Sequence, residues 1–431
     1  MNVNKVKPNG LALLPIIVFL ILFIGVGVVQ KDFYSMPAVI GFLIALAVAF
    51  LQTRGISFNE KISIIAKGVG DDNIITMCLI FLVAGAFSGS VSAAGGVNST
   101  VNLGLSLLPP GIAVIGLFII GCFISIYMGT SMGTIAALAP IAMGISEKTD
   151  FPIAICIGAV VSGAMFGDNL SMISDTTIAA VRTQGCDMRD KFRKNFLIVL
   201  PAAIATIVIL FFMTSGAHFT VSKDLDYNIF QVIPYILVLV TALIGLNVFI
   251  VLIGGIAFSV IAGLATGAMK VSQIFTSMGK GATGMYDITV ISILVACISA
   301  LVKYNGGFAF ILENIHKHIH SYKGAEFGVA ALVGLIDCAT ANNTVAIVIA
   351  GPIAKEISDD YGIEPARTAS LLDMFASVFQ GIIPYGAQLL SAASLTGLSS
   401  FDIMPYLFYP YLMAVCGIVS IIISKKKLGK A

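Results

Sequence analysis

Residues 152–177 read PIAICIGAVVSGAMFGDNLSMISDTT, an apolar run that begins at a proline and is interrupted by polar residues from Gly167 onwards. The interruption places two carboxylates, Asp168 and Asp175, in the middle of an otherwise apolar span. A carboxylate inside a membrane is costly, and where one is found it usually serves a function. Backbone breaks at membrane depth are tolerated only where they are buried in protein or line a wet cavity. The segment therefore predicts a transmembrane helix that is broken near the bilayer midplane and lines a functional site.

The composition of the whole chain is that of a membrane protein. Of its 431 residues, 58% are hydrophobic and only 11% are charged, with a mean hydropathy of +1.02, whereas soluble domains carry about 25% charged residues. Apolar stretches long enough to cross a hydrocarbon core of ~30 Å recur along the entire chain. We therefore expect an all-α polytopic membrane protein with about ten crossings, embedded in the lipid bilayer of the cell membrane and without a soluble domain.

Charge and cysteine patterns exclude several classes of function. The net charge is only +2 and the basic residues are spread over short loops, which predicts no nucleic-acid partner. Seven cysteines are scattered without a CxxC pair or a metal-binding spacing, so we expect them to pack as small apolar residues. The sequence lacks the GxxxxGK[ST] motif that would hold the phosphates of ATP. We therefore expect no enzyme and no cofactor, and transport that draws its energy from gradients.

The chain contains an internal duplication. Comparing the sequence with itself at an offset of roughly 210–216 residues brings similar features into line, as repeats do. Gly95-Gly96 matches Gly306-Gly307, and Pro140 matches Pro352. We predict a first repeat over residues 1–214 and a second over residues 228–424. Each carries a long apolar segment with a polar interruption and then a broken helix, at about 112–146 and 152–181 in the first repeat and at about 326–358 and 366–396 in the second.

The two long apolar segments decide the predicted topology. At 1.5 Å per residue they are too long for one crossing. Folding each back as a re-entrant hairpin leaves more of the 24 Lys and Arg residues on the cytoplasmic side, as the positive-inside rule requires. Each repeat then has five transmembrane helices plus one re-entrant hairpin. Because five is odd, the repeats are inverted, and both termini are cytoplasmic. Inverted repeats with interrupted helices near the midplane are a recurring plan of secondary transporters.

Polar residues at the first broken helix form a candidate cation and proton site. Hard oxygen ligands suit a small cation, and a desolvated carboxylate that titrates near neutrality can exchange that cation for a proton. In a different interpretation, Asp168 or Asp175 only caps a half-helix. The predicted cation- and proton-binding residues are Asp168, Asn169, Ser171, Ser174, Asp175, Thr176 and Thr177.

Both apolar segments and the second broken helix contribute a candidate substrate site. Asn342 and Asn343 offer donors and acceptors, and a half-helix that starts near Thr344 would direct its positive end at an anionic group. Alternatively, the two asparagines serve only turn chemistry, and Asp373 pairs structurally with a neighbour. The predicted substrate-binding residues are Thr130, Ser131, Thr134, Asp337, Thr340, Asn342, Asn343, Thr344, Asp373, Tyr385 and Gln388. We expect the interruptions of both repeats to converge on one site.

The motif GDNLSMISDTT at residues 167–177 resembles the GD…S…SDTT signature of the NhaC family of sodium/proton antiporters, within a broader superfamily of ion transporters. The resemblance covers most of the chain, and the preceding Pro152 and the duplicated layout agree with it. It implies alternating access in an elevator-like homodimer, in which a domain carrying both hairpins moves against a scaffold. Similar proteins include sodium/proton antiporters and transporters of malate, lactate or amino acids, so the resemblance indicates mechanism better than substrate.

Three functions follow as hypotheses. The first is Na+/H+ antiport, with Na+ and H+ as coupling ions carried by Asp168 and Asp175. The second is Na+- or H+-coupled transport of an amino acid or small carboxylate, held between residues 130–134 and 342–344. The third is a channel, which the paired interruptions and the absence of a continuous polar pore helix disfavour.

Overall fold

The structure is a computed structural model that describes residues 7–30, 36–107, 110–149, 151–172, 174–215, 225–244, 246–317 and 319–424. Within these ranges every regular element is a helix and there is no strand. The predicted all-α class is therefore confirmed. The helices that follow are numbered in chain order.

The first half of the chain is a series of helices that ends at Ser215. Pro152 directly precedes α8, where its fixed backbone angle suits the start of a helix. The elements are α1 (Leu14–Gln30), α2 (Ala38–Gln52), α3 (Phe58–Val69), α4 (Asp72–Ala93), α5 (Gly96–Leu107), α6 (Pro110–Met128), α7 (Ser131–Thr149), α8 (Ile153–Leu170), α9 (Asp175–Gln184) and α10 (Met188–Ser215).

The second half has a matching order of helices, with one short extra helix near its end. Pro365 is the first residue of α18. The elements are α11 (Ile229–Leu243), α12 (Val248–Ala265), α13 (Ile274–Thr283), α14 (Tyr286–Tyr304), α15 (Gly307–Lys317), α16 (Tyr322–Thr340), α17 (Asn343–Tyr361), α18 (Pro365–Ile382), α19 (Ala387–Thr396), α20 (Ser400–Ile403) and α21 (Phe408–Ile423).

The helices α6 to α9 recur as α16 to α19 with unchanged lengths and spacing. α6 begins at Pro110 and α16 at Tyr322, 212 residues later, and the same displacement relates the other three pairs. The turns also correspond, because Gly129 and Ala341 both have left-handed backbone angles, with φ of 66° and 47°. A left-handed residue ends a helix and lets the chain reverse. The order of helices thus repeats in this region, while the inversion of the repeats across a membrane stays a prediction.

Helix packing crosses between the two halves. α6, α7 and α8 pack against one another, as do α16, α17 and α18. In addition, α7 packs against α19 and α17 against α9, while α4 packs against α13 and α14 against α3. The interruptions of one half therefore lie next to helices of the other half.

Helix length and composition identify fewer crossings than the sequence analysis predicts. Among the described residues, three helical segments are long and apolar enough to span a membrane: Ile74–Ala93, Ile153–Gln184, which takes α8 and α9 together, and Met188–Thr214. Two bent pairs raise this number to five if each pair forms one span: Thr289–Tyr304 with Gly307–Ile315, and Ser400–Tyr406 with Phe408–Ile423. Several further apolar helices have 10–17 residues. The total of about ten crossings, with re-entrant hairpins, stays a prediction.

The most deeply buried helices are the interrupted ones. From Ile155 to Leu170 every side chain of α8 is buried, and most of α18 is buried as well. By contrast, α10 and α12 expose large apolar side chains such as Leu197, Phe212 and Ile261. Exposed apolar surface of this extent is what a helix facing lipid requires. The two interrupted helices therefore form the centre of the protein.

Candidate functional site

A cavity of about 560 Å³ lies where the interruptions of the two halves meet. We call the connection between α6 and α7 the first turn and that between α16 and α17 the second turn. The connections between α8 and α9 and between α18 and α19 are the first and second breaks. The polar residues that line the cavity are Asp72, Thr76, Thr130, Ser131, Asp168, Ser174, Asp175, Thr176, Asn247, Asn342, Asn343, Thr344, Gln380 and Gln388.

Asp168 lies in the last turn of α8, and its side chain is almost fully buried at the wall of the cavity. Ser131 Oγ donates a hydrogen bond to its Oδ2 at 2.7 Å, and Ser174 Oγ donates to its Oδ1 at 2.5 Å. Ser174 Oγ also lies 2.9 Å from Thr176 Oγ1. Hydroxyls from the first turn and from the first break therefore both bond to one carboxylate.

A glycine allows α8 to approach α6 closely beside this carboxylate. A Cβ atom at Gly167 would lie 2.4 Å from the carbonyl oxygen of Cys122 on α6, closer than real Cβ atoms come. Gly163 has the same relation to Phe118, one turn earlier, at 2.3 Å. The two glycines thus set the position of Asp168 relative to the first turn.

The cavity is acidic. Asp175, the first residue of α9, is exposed and lines the cavity. Asp72 at the start of α4 lines the cavity too, and the sequence analysis did not predict this residue. Together with Asp168 they make three carboxylates, while no Lys, Arg or His belongs to the described residues of its lining. Such a lining attracts and stabilises cations and repels anions.

A second cluster lies behind the first break, away from the cavity. Lys191 and Asp373 form an ion pair that is 1% and 0% exposed. Lys191 Nζ also donates to the carbonyl oxygen of Asn169 at 2.8 Å and to Thr177 Oγ1 at 3.0 Å, and Thr177 Oγ1 donates to Asp373 Oδ2 at 2.9 Å. The lining of the cavity does not include Asn169, Thr177 or Asp373, and the structural pairing considered for Asp373 is the one present.

This cluster satisfies the backbone that the first break frees. Helix ends leave carbonyl groups without an intrahelical partner. The carbonyl of Asn169 accepts from Lys191 and from Asn195 Nδ2, the latter at 3.0 Å, and Asn195 also donates to Asn169 Oδ1 at 2.7 Å. Ser171 Oγ donates to the carbonyl of Ile126 on α6 at 2.6 Å. The sequence analysis missed Lys191, although the need of a buried Asp373 for a counter-charge was a usable signal.

At the second turn, asparagine side chains hydrogen-bond to the backbone of the turn, and one side-chain nitrogen is left without a partner among the described residues. Asn342 caps α17 by accepting from the backbone N–H of Val345 at 3.0 Å, and Asn343 Oδ1 accepts from that of Thr344 at 3.0 Å. Thr340 Oγ1 donates to the carbonyl of Ile336 at 2.9 Å. Among the described residues, Asn343 Nδ2 has no hydrogen-bond partner. Asn342 and Asn343 thus shape the turn and line the cavity at the same time.

A chain of amides joins the second half to Asp168. Gln380 Nε2 donates to Gln388 Oε1 at 2.7 Å, and Gln388 Nε2 donates to Ser131 Oγ at 3.0 Å, which in turn donates to Asp168. Gln380 stands 212 residues after Asp168, at the matching place in α18. The second half therefore has an amide where the first half has the carboxylate of Asp168, and it contributes no charge at this matching position.

Other predicted substrate residues lie outside the cavity. Thr134 Oγ1 on α7 donates to the carbonyl of Thr130, just before that helix, at 2.9 Å. Tyr385 Oη donates to the carbonyl of Cys338 at 2.7 Å. Asp337 is fully buried in α16. The predicted site residues outside the lining are Thr134, Asn169, Ser171, Thr177, Asp337, Thr340, Asp373 and Tyr385.

Comparison with known proteins gives a match over nearly the whole chain. The model of the Na+/H+ antiporter family matches residues 9–215 and 227–424. The chain is 23% identical to a malate-2H+/Na+-lactate antiporter of Bacillus subtilis, over 93% of this chain and 92% of the relative. It is also 23% identical to the Na+/H+ antiporter NhaC of the same organism, over 87% and 90%. An arginine/ornithine antiporter of Halobacterium salinarum is 24% identical over 95% and 91%.

These matches agree with the apolar helical architecture and with an acidic cavity at the centre of the protein. The family consists of transporters and not of enzymes. The chain therefore belongs to the Na+/H+ antiporter family, and it is an ion-coupled antiporter of the membrane.

Proposed function

We propose that this chain exchanges Na+ for H+ and that the two ions compete for Asp168. The observation that carries the proposal is the arrangement of one nearly buried carboxylate with hydroxyls on both of its oxygens, in the wall of an acidic cavity. Carboxylate and hydroxyl oxygens are the ligands that hard cations prefer. Na+ is here a substrate, and Asp168, Ser131, Ser174 and Thr176 would hold it.

Competition at one carboxylate explains why the two ions would be exchanged. A carboxylate in a desolvated position is stable when a cation neutralises it or when it is protonated, and costly when it is neither. Na+ and H+ can each neutralise Asp168, but both cannot do so at once. Asp175 is exposed at the cavity, where its charge would draw cations inwards, and it is the second proposed carrier.

The proposed cycle needs alternating access. We propose inverted repeats of five transmembrane helices and one re-entrant hairpin each, in a homodimer of the cell membrane with both termini cytoplasmic. The hairpins α6–α7 and α16–α17 would move with the broken helices as an elevator-like domain. The matched spacing of α6 to α9 and α16 to α19 supports the repeats. No resident cofactor belongs to this scheme, in which Na+ and H+ are the coupling ions.

A second candidate function is coupled transport of an organic solute. The cavity of about 560 Å³ is far larger than one cation and falls within the range of small-molecule sites. Asn343 Nδ2 and Gln380 Oε1 are buried without partners among the described residues, and both residues line the cavity. The acidic lining favours a solute with a positive group, such as an amino acid, over a dicarboxylate. The names of two relatives, which carry malate and lactate or arginine and ornithine, keep this candidate open.

Purified protein in liposomes tests the proposal. An inward Na+ gradient should move protons outwards with no organic solute present, measured with a pH-sensitive dye inside the vesicles. Protein-free liposomes and a collapsed Na+ gradient are the controls. Solute uptake that requires Na+, with no proton flux in its absence, would favour the second candidate. Ion currents far above carrier rates would indicate a channel and contradict both.

A further inference from the structure

Four carboxylates in the described part of the chain are almost fully buried, and one of them differs from the rest. Asp168 accepts hydrogen bonds from two hydroxyls, whereas Glu326 and Asp373 each pair with a basic side chain. Asp337 on α16 is 0% exposed, and neither of its carboxylate oxygens has a hydrogen-bond partner among the described residues. It also belongs to none of the four described ion pairs.

An isolated carboxylate in an apolar interior is too costly to stay ionised, and it takes up a proton instead. We propose that Asp337 is a second proton-binding site of this antiporter, separate from the cavity, filled in the conformation described here and exchanged when the second turn moves. The inference rests on the proposed function in one respect only: the proton of Asp337 is counted among the protons exchanged for Na+ in each transport cycle.

Among the described residues, no group around Asp337 provides a counter-charge. Cys338 follows Asp337 directly in α16, and Tyr385 Oη donates to the carbonyl of Cys338 at 2.7 Å, but neither side chain can carry a positive charge. On α18, Arg367 and Asp373 pair elsewhere, with Glu326 and Lys191. The charged residues of α14, α15 and α17 lie towards the helix ends, and Lys303 of α14 lines a smaller cavity beside the second turn without bonding to Asp337.

The place of Asp337 links it to the moving part of the proposed cycle. Gly334 and Asp337 are three residues apart and share one face of α16, which ends just before Ala341. A Cβ atom at Gly334 would meet the ring of Phe379, and the carbonyl of Ala341 accepts from Gln380 Nε2 at 3.2 Å, so this face contacts α18. Gln380 in turn lines the cavity. A local movement of the second turn against α18, within the elevator-like domain, would therefore open the contact around Asp337 to water.

Water is what allows the proton to leave. When water reaches Asp337, the O–H bond of the carboxyl breaks, the proton passes to water, and the carboxylate that remains is solvated. Rebinding a proton from water restores the neutral acid before the contact closes again. Without solvation the charged form could not persist, which ties protonation to the closed state.

The matching position in the first half has a hydroxyl where the second half has the Asp337 carboxylate. Ser125 stands 212 residues before Asp337, at the same point of α6, and its Oγ donates to the carbonyl of Ala164 at 2.6 Å. A neutral hydroxyl thus serves the packing of the corresponding helix pair. A buried carboxylate that packing does not require is a candidate for function.

Infrared spectroscopy and transport on the same preparation test the proposal. The wild-type protein should show the carbonyl-stretch band of a protonated carboxyl that Asp337→Asn removes and that the exposed control Asp360→Asn on α17 retains. In heavy water the band should shift, because an exchanging proton is replaced by a deuteron. Asp337→Ser, which installs the residue of the matching position, keeps the test valid if the asparagine variant folds poorly.

In liposomes, the Na+ gradient that balances a fixed pH gradient reports how many protons accompany each Na+. Asp337→Asn should still exchange Na+ for H+ but with one proton fewer per cycle, while Asp360→Asn keeps the wild-type ratio. A band that is unchanged in Asp337→Asn, a band that does not shift in heavy water, or an unchanged ratio would each overturn the proposal. If the wild-type protein shows no Na+/H+ exchange at all, the proposed function fails, and the band and its shift still decide whether Asp337 holds an exchangeable proton.

Discussion

Ser131 donates a hydrogen bond to Asp168 at 2.7 Å, which joins the start of α7 to the end of α8 at the wall of the acidic cavity. Ser131 lies next to the first turn and Asp168 next to the first break, so the bond connects these two interruptions of the helical chain. A hydroxyl that donates to a carboxylate can turn its lone pairs towards a cation instead, since its hydrogen is free to rotate. The first four predictions concern this arrangement and its surroundings.

Asp168→Asn should abolish Na+/H+ exchange while leaving the protein folded. The amide keeps the shape of the side chain but neither titrates nor neutralises a cation. Na+-driven proton flux in liposomes should fall to the level of protein-free vesicles, with an unchanged elution profile on size-exclusion chromatography. Asp360→Asn is the control, because its carboxylate is exposed and lies outside the cavity lining, and it should retain exchange. Full exchange in Asp168→Asn would remove this residue from the mechanism.

Ser131→Ala and Ser174→Ala should each weaken Na+ binding. A hydrogen bond to a charged group is worth about 1.5–3 kcal/mol, so the half-saturating Na+ concentration should rise about tenfold or more. Ser171→Ala is the control, because Ser171 donates to the carbonyl of Ile126 and lies outside the cavity lining. Equal effects of all three substitutions would mean that the hydroxyls act only on folding.

Lys191→Met should lower the stability of the folded protein by about 3–5 kcal/mol, because it leaves the buried charge of Asp373 without a counter-charge. Asp373→Leu combined with Lys191→Met removes both charges and should recover most of the loss. Thermal unfolding of the purified protein in detergent measures both effects. If the double variant is less stable than Lys191→Met alone, the pair contributes more than the mutual neutralisation of two charges.

Asn342→Ala and Asn343→Ala should differ in their effects. Asn342 caps α17, so its loss should cost about 1 kcal/mol of stability and change Na+ affinity little. Asn343 has an unpartnered side-chain nitrogen at the cavity, so Asn343→Ala should leave Na+-driven proton flux intact if Na+ and H+ are the only cargo. A loss of solute uptake of about tenfold in Asn343→Ala would instead identify an organic cargo.

The proposed topology is tested by labelling single cysteines in a variant without the native cysteines. Arg189→Cys should react with a membrane-impermeant thiol reagent only from the cytoplasmic side, and Asp226→Cys only from the outside. The prediction follows from the re-entrant hairpins and the positive-inside rule. The reverse pattern would show that the hairpin assignment is wrong.

The interruptions of the helices could be located from the sequence, because polar and glycine residues in an apolar transmembrane run are costly. They are tolerated only where they are buried in protein or line a wet cavity. Asp168, Ser174 and Asn343 were predicted as site residues for this reason, and all three line the cavity. The start of α4 gave no comparable signal. Asp72 lies at the edge of an apolar stretch, where a carboxylate is ordinary, so its position at the cavity follows only from the packing.

For residues next to the predicted site residues in sequence, the direction of the side chain could not be predicted. Successive residues on a helix point about 100° apart, so Asp168 and Asn169 cannot both face the cavity. The same geometry separates Thr176, which lines the cavity, from Thr177, which bonds to Lys191. The partner of Asp373 is 182 residues away in sequence, and such pairings depend on tertiary packing that spacing does not encode.

The cluster around Lys191 determines which parts of the protein can move separately. Lys191 on α10 holds the end of α8 through Asn169, the start of α9 through Thr177, and α18 through Asp373. Pulling these helices apart would separate the two charges and leave each of them unpaired in an apolar environment, which costs several kcal/mol for each ion. We therefore expect the four helices to travel as one rigid body in the proposed cycle. Any hinge of that cycle would then lie in the segments that connect this body to the rest of the chain.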